Sequence, residues 1–175
     1  MRPALPALVR LATHSHNEEV LILVLYALDS FLAASDASLD AAVDAGALHV
    51  AVALASHADT AVAAPALRAM LNVSRASDAH VEDLVNAGAL VALRDCLARE
   101  DALCMLACDV IVNVLRGGPL GPLLHNNVFP VLFNLVHTVP SAAVAAHVAY
   151  VILNACTSAD LGALLIPFLT SSLRC

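Results

Sequence analysis

Asp44-Ala45-Gly46-Ala47-Leu48 returns 42 residues later as Asn86-Ala87-Gly88-Ala89-Leu90, and a weaker echo, Asn126-Asn127-Val128-Phe129-Pro130, follows after 40 more. A second marker keeps the same time. Asn72-Val73 recurs as Asn113-Val114 and then as Asn154-Ala155, each step being 41 residues, and Ser30 fills the same slot 42 residues before Asn72. Two independent markers with one period identify a repeat array, in which each unit buries its apolar faces only against its neighbours.

Within a period the pattern reads short helix, sharp turn, medium helix, loop, longer helix. In the second copy, residues 36 to 45 offer Asp36 and Ser38 as capping candidates ahead of Leu39, Ala42 and Val43. Gly46 turns the chain, because a residue without Cβ adopts positive φ cheaply. Asn127 takes that place in the later copy, the next most tolerant choice. A medium helix runs through Leu48 to Leu54, and a third from about Ala61 to Val73 with Pro65 in its first turns. The third helices carry apolar rows, such as Leu103, Leu106, Ala107, Val110, Ile111 and Val114. The expected units are 1–35, lacking the opening short helix, then 36–76, 77–117 and 118–158, with 159–175 beginning a fifth. Together they form a single domain, all-α, with both ends of the stack open.

Composition supports helices and excludes several functions. Of the 175 residues, 61% are hydrophobic and only 13% charged, and the eight basic residues are all arginine. Alanine and leucine, both good helix formers, dominate. A formal charge of −7 argues against nucleic acid, whose phosphates require a basic footprint. Mean hydropathy is +0.83, but no window of about 18 residues is cleanly apolar, so no membrane span is expected. The five cysteines are irregularly spaced and expected to be buried, reduced thiols.

The wording of the repeats is more specific than their length. Leu5-Pro6-Ala7-Leu8-Val9-Arg10-Leu11 opens the chain, and Glu19-Val20-Leu21 precedes Tyr26-Ala27-Leu28. Pro65-Ala66-Leu67-Arg68-Ala69 runs to Asn72-Val73, followed by Asn86-Ala87-Gly88-Ala89-Leu90, Asn113 and Asn154-Ala155-Cys156-Thr157-Ser158. In this order, over roughly residues 3 to 160, these segments resemble the later armadillo repeats of the importin-alpha family. The resemblance implies a right-handed superhelical solenoid of about four three-helix units. It also implies a nuclear import adaptor that shuttles between cytoplasm and nucleus. In that family the third helices line a concave groove that holds basic nuclear localisation signal peptides through a Trp-x-x-x-Asn motif.

The chemistry of such a ladder is plain. Residues at i and i+4 share a helix face. An asparagine amide offers both a donor and an acceptor, and so grips an extended main chain whatever its sequence. Stacked helices lie about 8–10 Å apart and an extended chain advances about 3.3 Å per residue, so successive asparagines meet the peptide about every third residue. Here the asparagine positions read Ser30, Asn72, Asn113 and Asn154, and the tryptophan positions read Tyr26, Arg68, Asp109 and Tyr150. Arg68 matches the family's own exception. The chain has no tryptophan, so the clamp is expected intact and the lysine slots degraded, with Tyr150 offering an aromatic face and Asp109 attracting a cation. The family's basic segment for importin-beta is expected to be missing, as are the earlier repeats. A generic armadillo scaffold for some other peptide is the alternative reading.

No enzyme or cofactor is expected. His14 and His16, near Glu18 and Glu19, lack further metal ligands and read as solvated loop residues. Cys104 and Cys108 share a helix face as small core hydrophobes. Asp95, Glu100 and Asp101 straddle a loop, and Gly117-Gly118-Pro119 lacks the lysine of a phosphate loop.

Overall fold

The computed structural model of the chain describes residues 4–117, 120–139 and 141–157. Among them the regular structure is helical: α1 (Ala4–His14), α2 (Glu18–Ala34), α3 (Asp36–Asp44), α4 (Ala47–Ala55), α5 (Thr60–Ser74), α6 (Asp78–Asn86), α7 (Ala89–Leu97), α8 (Asp101–Gly117), α9 (Leu120–His125), α10 (Val128–Thr138) and α11 (Ala142–Thr157). The run short, medium, long occurs three times, from α3, from α6 and from α9. The expected fifth unit, 159–175, lies outside the described residues.

Local chemistry sets the boundaries. Gly46 at φ +89°, Gly88 at φ +85° and Asn127 at φ +56° make the left-handed turns between short and medium helices, as the recurring motif predicts. At the first of them α3 and α4 bend by 75°. Asn17, Ser35, Asp59 and Ser77 cap α2, α3, α5 and α6, each side chain accepting a backbone N–H of the first turn. The cap of α3 is therefore Ser35, not Asp36 or Ser38. Only the residue still extended, at φ −171°, swings its hydroxyl back to the Ser38 N–H. His14 likewise belongs to the last turn of α1, where its ring bonds Arg10 O, and not to the following loop.

Long helices pack in chain order, α2 on α5, α5 on α8 and α8 on α11, while the medium helices α1, α4, α7 and α10 make a second row. The core lies between the rows. Leu25, Leu28, Leu67, Met70, Leu103 and Ile111 are fully buried there, and each such side chain contributes about 1.5–3 kcal/mol. Ala63, Ala66, Ala69 and Ala107 are also sealed, which lets neighbouring helices approach closely.

Side-chain bonds across the stack repeat the period of the sequence. Cys96 Sγ donates to Ala55 O, 41 residues away, at 3.3 Å. Arg99 donates to His57 O at 2.7 Å and Ala58 O at 2.8 Å, separations of 42 and 41 residues. His80 Nε2 lies 2.9 Å from Asp40 Oδ1, and Thr60 bonds Glu100, each pair 40 residues apart. A bond that skips one period is what a one-dimensional stack allows, since each unit touches only its neighbours.

Cys96, Cys104 and Cys108 are buried, whereas Cys156 is exposed, contrary to the expectation of uniformly buried thiols. Burial pushes the Cys96 thiol up, and a hydrogen bond to Cys104 together with burial pushes Cys108 up, so both stay protonated at neutral pH. Among the described residues no single helix is long and apolar enough to cross a membrane.

Candidate functional site

The row α2, α5, α8 and α11 carries every residue singled out from the repeat. Tyr26 and Ser30 stand on α2, Arg68 and Asn72 on α5, Asp109 and Asn113 on α8, Tyr150 and Asn154 on α11. The two tyrosines are about half exposed, at 47% and 48%. Arg68, Asn72, Asp109, Asn113 and Asn154 are partly buried. Within this row α2 packs directly on α5, α5 on α8 and α8 on α11.

The asparagines are not idle. Asn72 Nδ2 donates to Asp29 Oδ1 on α2 at 2.8 Å. Asn113 Nδ2 donates to Ser74 Oγ on α5 at 3.0 Å. Ser74 is buried, 5% exposed, and its hydroxyl also donates to Leu71 O at 2.9 Å. Asn154 Nδ2 stays within its own helix, donating to Tyr150 O at 2.7 Å, and Ser30 Oγ does the same to Tyr26 O at 2.9 Å. Each amide has one N–H and a carbonyl oxygen left, since an asparagine offers two donors and one acceptor oxygen. The Oδ1 atoms of all three make no hydrogen bond among the described residues.

The tryptophan positions are also occupied by neighbours. The Arg68 guanidinium lies over the Tyr26 ring, 5.0 Å from its centroid, and its Nε is buried with no hydrogen-bond partner among the described residues. Arg116 Nη2 donates to Tyr150 Oη at 2.9 Å. Asp109 Oδ1 faces His147 Nε2 at 4.0 Å, both side chains about two-fifths exposed.

Asp29, Ser74, Arg116 and His147 contact these positions and were missed by sequence reasoning. For Asp29, Ser74 and His147 the signal lay in the repeat itself. The slot of Asp29 reads Leu71, Val112 and Leu153 in the other copies, and that of Ser74 reads Leu32, Leu115 and Cys156. His147 replaces Leu23, Pro65 and Leu106. Polar residues in apolar slots mark where the stack builds something beyond packing. No group of three or more metal-ligating side chains occurs among the described residues.

No family model matches the chain. Importin subunit alpha-1a of Oryza sativa subsp. japonica is 32% identical over an alignment of 137 residues, covering 71% of this chain and 26% of the rice protein. The chain thus spans about a quarter of that relative's length. A designed armadillo repeat protein in complex with the peptide (KR)4 superimposes with a TM-score of 0.85 over 98% of this chain and 73% of its own, at 22% identity. A computationally designed armadillo repeat protein for modular peptide recognition gives 0.78 over 86% and 64%, at 24% identity. The fold is the armadillo solenoid that the resemblance implied. The chain belongs to the armadillo-repeat family, as a diverged relative of importin alpha.

Proposed function

We propose that the chain is one continuous armadillo domain that binds an extended peptide along Asn72, Asn113 and Asn154, and that its ligands are basic nuclear localisation signals. One observation carries the reading. Asn72 and Asn113 each hold a residue of the preceding long helix, which fixes the amide in orientation while leaving a donor and an acceptor for a main chain. Helix spacing of about 8–10 Å against about 3.3 Å per extended residue gives one rung for about every three peptide residues. Recognition is non-covalent and needs no cofactor. Tyr26, Arg68, Asp109 and Tyr150 tune the side-chain positions between rungs, with Ser30 as a weaker first rung.

Kinship with importin alpha supports an adaptor that moves cargo between cytoplasm and nucleus. Engagement of importin-beta would require a basic N-terminal segment in addition to these repeats. Titration of a fluorescent lysine-rich peptide tests the proposal. Asn113→Ala should weaken binding about threefold to tenfold, the worth of a net hydrogen bond. Absence of binding to that peptide, with a preference for neutral ones, would replace the import adaptor by an armadillo scaffold unconnected to transport.

A further inference from the structure

The charges along the row alternate, and two of them belong to the protein where a peptide cation would otherwise sit. Arg68 covers Tyr26, and Arg116 is bonded to the phenol of Tyr150. A peptide lysine approaching either ring meets a like charge and not an open aromatic face. No carboxylate among the described residues lies within 4.0 Å of either guanidinium, though Asp78 lines one pocket with Arg116. Arg116 is solvent-exposed and free to take a carboxylate. Asp109, on α8 seven residues before Arg116, is the opposite case. Its only basic side-chain neighbour within 4.0 Å among the described residues is the His147 imidazole, and it remains 42% exposed.

We propose that the row accepts a segment of mixed charge: a lysine or arginine at Asp109, with aspartate or glutamate about three residues away on either side, at Arg68 on α5 and at the Arg116 guanidinium, which reaches from α8 to Tyr150 on α11. This rests on the reading that the row binds an extended peptide, and it narrows the basic signal of that reading to one whose central cation is flanked by acidic residues at this row. An unbroken run places two cations against two arginines, whereas the mixed segment pairs every charge. Fork-shaped guanidiniums also suit planar carboxylates. Exposed pairs are individually weak, so the two together should shift affinity about tenfold.

The test uses three labelled peptides on one neutral background, carrying Glu-x-x-Lys-x-x-Glu, Lys-x-x-Lys-x-x-Lys or Ser at all three places, read by fluorescence anisotropy at low ionic strength. The mixed peptide should bind about tenfold tighter than the triple-lysine one. Arg116→Glu, at an exposed position that should not disturb folding, should shrink or invert that ratio. Asn113→Ala should weaken all three peptides alike, because it acts on the main chain. Equal or tighter binding of triple lysine, or a ratio indifferent to Arg116→Glu, overturns the charge assignment and leaves peptide binding standing. Failure of all three to bind overturns both.

Discussion

Among the described residues, two seams of the stack differ in their polar contacts. Where α3, α4 and α5 meet α6, α7 and α8, six polar contacts cross: Cys96 to Ala55, Arg99 to His57 and to Ala58, Asn113 to Ser74, His80 to Asp40, and Thr60 to Glu100. Where α7 and α8 meet α10 and α11, the described residues supply one, Arg116 to Tyr150, and the longer Asp109–His147 approach. Apolar burial does not differ in this way. Leu67 and Ile111 at the first seam are sealed, and so are Leu132, Val144, Val148 and Val151 at the second. Burial therefore holds each seam together. The polar bonds, worth about 1 kcal/mol each net, fix how one unit registers on the next.

The largest expected effects test whether burial is equal. Leu67→Ala and Leu132→Ala each remove a side chain with 0% exposure, one at each seam. Each should cost about 3 kcal/mol in urea denaturation. A cost near zero for Leu132→Ala alone would show that the second seam is loosely packed, and the comparison would then be one of burial after all.

Next come the arginines. Arg99 gives two charged hydrogen bonds to the carbonyls of His57 and Ala58 in the loop after α4. Arg99→Ala leaves both acceptors without that donor and should cost about 2 kcal/mol. Arg116→Ala removes an exposed side chain with a single bond to a phenol, and should fall within about 0.5 kcal/mol of the parent. Similar losses for the two would erase the distinction between a seam with many register bonds and one with few.

What the sequence revealed of this follows the reach of each interaction. Gly46, Gly88 and Asn127 were legible because a left-handed turn admits few residues, and the structure gives all three positive φ. Helix rows were legible because burial follows a simple period. The cap of α3 was misplaced because Ser35, Asp36 and Ser38 are all chemically able caps, and only backbone conformation separates them. At the site, the asparagines could be found by their 41-residue spacing, yet their partners could not be read from it. Asp29 and Ser74 come from the helix one unit earlier and emerge only when polar residues are sought in otherwise apolar slots. Arg116 was hidden differently: it bonds Tyr150 over 34 residues, short of a full period.

The smallest expected effects carry the comparison onto the binding face. Ser74→Ala removes a buried hydroxyl that accepts from Asn113 and donates to Leu71 O. Both partners lose a bond in a half-closed setting, so stability should fall about 1 kcal/mol. Tyr150→Phe deletes only an exposed phenol oxygen bonded to Arg116, and stability should change by less than about 0.5 kcal/mol. Peptide binding should separate them further. Without Ser74 the Asn113 amide is no longer held by α5, and it must be ordered by the ligand at the ligand's own entropic cost. Ser74→Ala should therefore weaken every extended peptide, whatever its charge, although Ser74 itself is too buried to touch one. Tyr150→Phe frees Arg116 without removing its charge and should leave a preference for acidic residues in place. If Ser74→Ala left affinity untouched while Asn113→Ala lowered it, the cross-helix bond would be a stabilising contact with no part in presenting the rung.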